Sequence, residues 1–178
     1  MNYKVTIITP LFNAEKYISN TINSVLAQDY ANFEMIIVND CSTDTSEQIV
    51  KSFKDPRIKY YKFDKNQGVA AARNFALDHA SGKYVAFLDS DDLIDPNYLS
   101  EQVKFIENNG PIISSGYRRK ADNSNTVFYV PDVVRYKDIF KGNPLSCLTT
   151  MYDFELFKDV RFTNGYSHHE DLIFWGDI

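Results

Sequence analysis

The sequence predicts a single α/β domain in which a mostly parallel sheet is flanked by helices. Strand-like and helix-like segments alternate over residues 1–110 with short links, and the strand-like segment Phe33–Val38 is apolar except for Glu34, as in a strand covered on both faces. Three links that follow strand segments are polar and rich in acids. Since ligands of such sheets bind beyond the carboxyl ends of the strands, these links predict the site.

Four strand patterns and four helix patterns make up residues 1–110. The predicted strands are Tyr3–Thr9, Phe33–Val38, Ile58–Phe63 and Lys83–Leu88, and the predicted helices are Ala14–Gln28, Asp44–Phe53, Val69–Ala80 and Pro96–Asn109. We expect Pro10 to end the first strand and Asn13 to cap the first helix. Asp44 and Glu47 have the spacing of a capping box for the second helix.

Residues 111–178 show weaker patterns and are expected to belong to the same domain, 1–178. The expected elements are a strand at Ile112–Tyr117, a solvated loop at Arg118–Thr126, a short strand at Val127–Val130, and short helices at Tyr136–Lys141 and Asp153–Lys158. An apolar patch precedes Ile178 without a helix stop signal, so we expect the chain to be truncated at its C-terminus.

Composition excludes several classes of protein. The 178 residues carry a net charge of -5, which argues against a non-specific nucleic-acid binder because no basic stripe is present. Cys41 and Cys147 do not form a disulfide framework and suit a reducing compartment. We see no signal peptide in residues 1–10 and no run of about 20 apolar residues, so we expect a cytoplasmic protein, with peripheral contact at the inner face of the membrane left open.

The segment Tyr84–Asp92 carries the strongest chemical signal. A buried strand ends in Asp89, Asp91 and Asp92, and carboxylate oxygens are the ligands that Mg²⁺ and Mn²⁺ prefer. Asp89 and Asp91 suit a site in which substrate phosphates and water complete the coordination. The competing interpretation is a polar loop with a helix cap, which the apolar strand and the other acidic links disfavour.

Two further loops are less specific. Asp40, at the end of the second strand, can accept an N–H from a flat base, although Asn, Asp and Ser are also ordinary turn residues. Gly68 precedes a helix whose second turn holds Arg73, which suits phosphate binding. A surface arginine on an Ala-rich helix explains Arg73 equally well.

The last constellation is His168-His169-Glu170-Asp171. A carboxylate that faces an acceptor hydroxyl can serve as a general base, and one of two adjacent acids can have a raised pKa when buried. The alternative is an exposed acidic loop. The histidines are candidate metal ligands, but we expect them to be structural.

Taken in order, these segments resemble glycosyltransferase family 2, whose members have the GT-A fold. The matching segments are residues 7–15, 34–44, 66–68, 72–74, 82–92 and 170–171. The match extends from about residue 4 to residue 175 and is dense up to residue 99. It implies an inverting enzyme that moves a sugar from a nucleotide diphosphate donor, with UDP-sugars favoured, to a hydroxyl of a saccharide or lipid-linked saccharide in cell-surface polysaccharide or glycoconjugate synthesis.

The resemblance also implies roles for individual residues. Residues 1–110 would bind the nucleotide-sugar and residues 111–178 the acceptor. Asp171 would be the catalytic base, and Asp91 would be the chief ligand of Mn²⁺ or Mg²⁺, with Asp89 at the metal or the ribose. Asp40 would bind the base, and Arg73 would approach the diphosphate. The remaining implied donor contacts are Thr9, Pro10, Phe12 (where the family often has tyrosine), Glu15, Asn66, Gly68, Ser90 and Glu170.

Other classes fit less well. A phosphatase of the haloacid dehalogenase type would need its nucleophilic aspartate after the first strand, followed by Thr or Val, whereas the cluster here follows the fourth strand and precedes Leu93. A sugar nucleotidyltransferase would need a Gly-rich basic loop where Thr9–Asn13 stands. A nucleotide-sugar binding module without activity remains an alternative, which a transfer assay distinguishes from an enzyme.

Overall fold

The computed structural model describes residues 2–121, 124–135, 137–138, 145–163, 165 and 170–178. The strands in these residues are β1 (Val5–Leu11), β2 (Phe33–Asn39), β3 (Ile58–Lys62), β4 (Tyr84–Phe87), β5 (Ile112–Ser114), β6 (Tyr117–Ala121), β7 (Ser124–Phe128) and β8 (Thr150–Asp153). The α-helices are α1 (Ile18–Leu26), α2 (Ser46–Ser52), α3 (Val69–His79), α4 (Tyr98–Asn109) and α5 (Glu170–Asp177), and a 3₁₀ helix, Cys147–Thr149, precedes β8.

Six strands form the central sheet in the order β3-β2-β1-β4-β8-β5. β1 to β4 run parallel, and β8 lies antiparallel between β4 and β5. β1 and β2 pair along their full length, from Val5 with Phe33 to Leu11 with Asn39. The carboxyl ends of the parallel strands therefore meet at one edge, and the predicted α/β architecture is confirmed.

Each face of this sheet has its own hydrophobic core. Ile7 and Met35 belong to one core with the apolar sides of α1 and α4. Ile8 and Ile36 belong to the other, which contains α3, α5 and the segment around β8. Because neighbouring residues of β1 and β2 lie on opposite faces of the sheet, both strands carry buried apolar side chains on both faces, as predicted for Phe33–Val38. None of the helices in the described residues is long and apolar enough to span a membrane.

The expectation that Pro10 ends the first strand was wrong. β1 continues to Leu11, and Pro10 stands opposite Val38 of β2. The pairing of β1 with β4 ends at Ile8, opposite Phe87. Proline is tolerated here because β4 no longer pairs with β1 at this position, so no ladder hydrogen bond is lost on that side.

The expected helix caps were also wrong. α1 begins at Ile18, not Ala14, and the Asn13 side chain instead accepts a hydrogen bond from the N–H of Thr43 at 2.8 Å. The capping box of the second helix does not form, because the Glu47 carboxylate bonds Lys51 and Lys62.

The second half of the chain departs most from expectation. Residues 118–121 and 124–126 belong to strands and not to a loop: β6 and β7 pair antiparallel, and the rings of Tyr117 and Phe128 stack with centroids 4.7 Å apart. Asp153 ends β8, and residues 154–158 form turns and not a helix. Most of the helix expected at Tyr136–Lys141 lies outside the described residues.

A buried carboxylate, Glu34, joins the amino ends of three strands. Its oxygens accept hydrogen bonds from Lys4 at 2.9 Å and Thr6 at 2.7 Å, and Lys59 of β3 lies 2.7 Å away. Ser81, just before β4, donates through its backbone and its hydroxyl. Burial by itself raises the pKa of Glu34, but these hydrogen bonds outweigh it and lower the pKa from 4.5 to about 2.

We expect Glu34→Gln to destabilise the protein at neutral pH. A pKa lowered from 4.5 to about 2 corresponds to about 3 kcal/mol of folding free energy, which is fully present above pH 4.5 and is lost as the pH falls toward 2. Urea unfolding at several pH values measures this. The variant should lose stability at pH 7 and show a weaker acid dependence between pH 4.5 and 2. The control Glu47→Gln, whose lysine partners are exposed, should change stability far less, and equal losses would contradict the assignment.

Candidate functional site

A cavity of about 480 Å³ opens at the carboxyl ends of the parallel strands. This volume lies in the range of small-molecule sites, roughly 300–1,000 Å³. The lining residues come from the ends of three strands and from the start of α3: Pro10, Leu11, Phe12, Asp40, Asn66, Gly68, Val69, Arg73, Asp89, Ser90 and Asp91. The fold thus brings together motifs that are up to about 80 residues apart in the sequence, at the edge that the sequence predicts.

Nine of the predicted site residues line this cavity, and among the described side chains Thr9, Glu15 and Asp171 do not. Thr9 is fully buried within β1, and the Glu15 carboxylate accepts hydrogen bonds from the backbone and hydroxyl of Thr45. Asp171 and the backbone of Glu170 lie in α5. Leu11 and Val69 were missed, and their position beside predicted residues is the only signal that could have indicated them.

Arg73 is buried, with 4% of its surface exposed, so it is not a surface arginine. Its Nη2 donates to Asp89 Oδ1 at 2.9 Å. The guanidinium carbon lies 5.2 Å from the ring centroid of Phe162 and 5.9 Å from that of Phe87. Aromatic faces and a carboxylate both favour a planar cation, so Arg73 is held in one orientation at the cavity wall.

Asp40 organises the loop between β3 and α3. Its Oδ1 accepts the N–H of Gln67 at 2.7 Å, and its Oδ2 accepts that of Gly68 at 2.8 Å. The Asn66 side chain donates to the Asp40 carbonyl at 3.2 Å. Each carboxylate oxygen keeps a second acceptor direction, so contact with a base stays compatible with this geometry and remains a prediction.

The other polar residues of Asn39–Asp44 form turns and ties between loops. Asn39 Oδ1 accepts the N–H of Ser42 at 2.8 Å, and Asp44 Oδ2 accepts that of Glu15 at 3.0 Å. For these residues the ordinary turn interpretation holds. Only Asp40 of this segment lines the cavity.

The acids after β4 differ in environment. Asp91 is exposed, and Asp89 is half-exposed and paired with Arg73. Burial raises the pKa of Asp92, and the charges of Asp89 and Asp91 raise it further, to about 6.

The cavity wall offers oxygen ligands for a divalent cation. The described residues contain no group of three or more metal-binding side chains. Asp89 and Asp91 line one cavity, however, and a site completed by ligand phosphates and water needs only one or two carboxylates. These two side chains therefore fit Mg²⁺ or Mn²⁺ bound together with a phosphorylated ligand.

Asp171 lies in the first turn of α5, where its Oδ1 accepts the N–H of Leu172 at 2.9 Å. Phe174, one turn later, contacts Phe87 with centroids 5.7 Å apart. Since Phe87 is two residues before Asp89, α5 packs against the end of the strand that carries the acidic cluster. His168, His169 and the side chain of Glu170 lie outside the described residues.

Comparison with known proteins agrees with this geometry. The model of glycosyl transferase family 2 matches residues 6–163. WfgD and WfaP of Escherichia coli, both named UDP-Glc:alpha-D-GlcNAc-diphosphoundecaprenol beta-1,3-glucosyltransferase, are 38% and 37% identical over 99% and 98% of this chain. The structure of TarS of S. aureus in complex with UDP matches 96% of this chain with a TM-score of 0.80 and 31% identity.

The sheet order, the cavity and these matches define a glycosyltransferase domain of the GT-A type. The chain belongs to glycosyl transferase family 2. It spans 70% of the length of WfgD, 69% of WfaP and 53% of the TarS chain.

Cys41, beside Asp40, has a left-handed backbone with φ of 63°, which favours glycine. We expect Cys41→Gly to raise the free energy of unfolding by roughly 0.5–1 kcal/mol, because the relieved strain exceeds the loss of the weak Sγ–H contact to the Asp64 carbonyl. Chemical denaturation measures this. Asn13→Gly is the matched control: Asn13 also has a positive φ, of 49°, but loses its bond to Thr43 and should not gain. A destabilised Cys41→Gly protein would contradict the strain argument.

Proposed function

We propose that this chain is the donor-binding and catalytic part of an inverting glycosyltransferase that moves a sugar from a UDP-sugar to a saccharide hydroxyl in cell-surface polysaccharide or glycoconjugate synthesis. One observation carries the proposal: Asp40, Arg73, Asp89 and Asp91 line a single cavity at the carboxyl edge of the sheet. In this proposal Asp40 would bind the base and Arg73 the diphosphate. Asp89 and Asp91 would hold a metal ion that binds the diphosphate.

The nucleoside would occupy the end of the cavity beside β1 and β2. Phe12 is half-exposed there and offers a ring face for stacking, and Asp40 offers carboxylate oxygens to a base N–H. TarS has been solved with UDP and with UDP-GlcNAc, and the names of WfgD and WfaP specify UDP-Glc. These relatives support UDP-glucose and UDP-GlcNAc as the first donors to test.

The diphosphate would lie between Arg73 and the acidic cluster. The buried guanidinium supplies positive charge in a protein whose net charge is -5. Asp91, with Asp89, would hold Mn²⁺ or Mg²⁺. A divalent cation bound there would offset the negative charge that develops on the leaving diphosphate.

The transfer step would use Asp171 as a general base. Asp171 would remove the proton of the acceptor hydroxyl as its oxygen bonds to the anomeric carbon, and the bond from that carbon to the diphosphate would break. One displacement inverts the anomeric centre. The β-linkage in the names of WfgD and WfaP supports inversion, because UDP-glucose is an α-glycoside.

The acceptor would meet the part formed by residues 111–178. The names of WfgD and WfaP include a sugar linked to diphosphoundecaprenol. This supports a lipid-linked saccharide acceptor, used at the inner face of the membrane through peripheral contact.

Asp171→Asn should abolish transfer and retain donor binding. Asparagine keeps the shape of the side chain but cannot take the proton, so we expect the rate to fall at least about 100-fold. UDP release from UDP-glucose or UDP-GlcNAc in the presence of a saccharide acceptor measures the rate of transfer. Titration calorimetry with UDP and Mn²⁺ measures donor binding. Transfer at the normal rate would show that Asp171 is not the base. Wild-type protein that binds UDP but releases none with any acceptor would favour the binding-module alternative.

Asp91→Ala should weaken UDP binding chiefly when metal is present. Removing one carboxylate ligand weakens the cation site, whereas the contacts of the base and of Arg73 remain. Titration of UDP with Mn²⁺ and with EDTA compares the two conditions, and we expect a loss of about 10-fold or more with Mn²⁺. Asp95→Ala, an exposed acid that does not line the cavity, is the control. An equal loss in EDTA would argue against a ligand role for Asp91.

A further inference from the structure

We infer that Asn74 is a positioning residue that fixes the main chain at Phe162 and thereby sets helix α5, which carries Asp171, relative to Arg73 and Asp89. The inference rests on the proposed role of Asp171 as the base. It concerns how the donor side and the acceptor side of the site are held in one arrangement.

Asn74 forms a two-bond clamp on a residue 88 positions away. Its Nδ2 donates to the carbonyl of Phe162 at 2.8 Å, and its Oδ1 accepts the N–H of Phe162 at 2.8 Å. A carboxamide is the neutral side chain that can satisfy both groups of one residue at once, because it carries a donor and an acceptor side by side. The clamp therefore fixes both the position and the orientation of the Phe162 backbone.

The Phe162 ring then contacts both functional sides. It is buried, and the Arg73 guanidinium lies 5.2 Å from its centroid. The same ring stacks on Phe174 of α5 with centroids 4.1 Å apart and an interplanar angle of 7°. Phe174 is three residues after Asp171, one turn along the same helix. A shift of the Phe162 backbone would thus move the base-bearing helix, whereas Asp89 and Phe87 would still hold Arg73.

The clamp lies beside the donor machinery in the sequence. Asn74 directly follows Arg73 in α3, so the helix that presents the cation to the cavity also holds the acceptor-side segment. Stacked rings transmit such a displacement because a packed core does not deform continuously. Misplacement by about 1 Å can cost about 100-fold in rate.

α3 supplies a matched control. Asp78, one turn after Asn74, bonds Arg161 through Nε at 3.1 Å and Nη2 at 2.7 Å. It ties the residue next to Phe162 to the same helix at an exposed position, without a bond to the Phe162 backbone. Asp78→Asn removes the negative charge and so weakens a comparable tie without releasing the Phe162 backbone.

The test compares Asn74→Ala with Asp78→Asn in the full chain. UDP release from UDP-glucose and UDP-GlcNAc, with Mn²⁺ and with GlcNAc-diphosphoundecaprenol as the acceptor, gives kcat and KM, and calorimetry gives the Kd of UDP. We expect Asn74→Ala to lower kcat by about 10- to 100-fold, with KM and Kd within about threefold, since the donor contacts remain. Asp78→Asn should keep kcat within about twofold, because this exposed tie does not hold the Phe162 backbone. Equal kcat in the two variants, or equal changes in kcat and Kd for Asn74→Ala, would overturn the inference.

Phe162→Leu keeps the backbone clamp but removes the ring, and it serves as a second variant if Asn74→Ala does not fold. It should also lower kcat, and in the double variant the two losses should not multiply, since both act through one contact. Multiplying losses would overturn the inference.

Trp175 gives a readout that needs no donor. It is the single tryptophan of the sequence, is buried, and contacts Phe174 with centroids 5.0 Å apart. Asn74→Ala should shift its fluorescence to longer wavelength and increase acrylamide quenching, whereas Asp78→Asn should not. Unchanged emission in Asn74→Ala would overturn the inference. If Asp171→Asn is inactive and Asn74→Ala has normal activity, only the positioning role of Asn74 is refuted. If Asp171→Asn is active, the proposed role of Asp171 as the base is refuted.

Discussion

The site depends on the ion pair between buried Arg73 and half-exposed Asp89. Taking a guanidinium out of water is costly unless a carboxylate compensates it, and Asp89 does so at 2.9 Å. The pair joins α3 to the end of β4, and the rings of Phe87 and Phe162 cover the cation. One electrostatic requirement thus brings the helix, the central sheet and the C-terminal half of the chain to the same point. Under the proposed function, an arriving diphosphate is a second anion for a cation that is already oriented.

The first half of the fold could be predicted from the sequence because its signals are local. Apolar runs such as Phe33–Val38 indicate strands covered on both faces, and the acids after β4 indicate the edge where ligands bind. Resemblance to a family supplied the roles of single residues, and nine of the predicted site residues line the cavity. The neighbouring positions of β1, β2 and β3 agree with the preference for short connections, whereas the position of β4 beside β1 requires a crossover that this preference does not predict.

The parts that could not be predicted depend on distant contacts. Pro10 is tolerated in β1 only because β4 stops pairing at Ile8, which no local pattern shows. β6 and β7 form a separate two-stranded sheet with few apolar residues, and this segment therefore resembled a loop in the sequence. The bonds of Asn74 to Phe162 and of Asp40 to the backbone of Gln67 and Gly68 join segments that are separate in the sequence.

The Glu34 cluster and the cavity lie at opposite ends of the same strands, so different residues stabilise the sheet and line the cavity. Lysines and hydroxyls bonded to Glu34 hold the strands together at their amino ends. The loops at the carboxyl ends take no part in this cluster. Substitutions among the residues that line the cavity therefore leave the ties between the strands at the amino ends in place. The same central sheet can therefore carry different binding sites at its carboxyl edge.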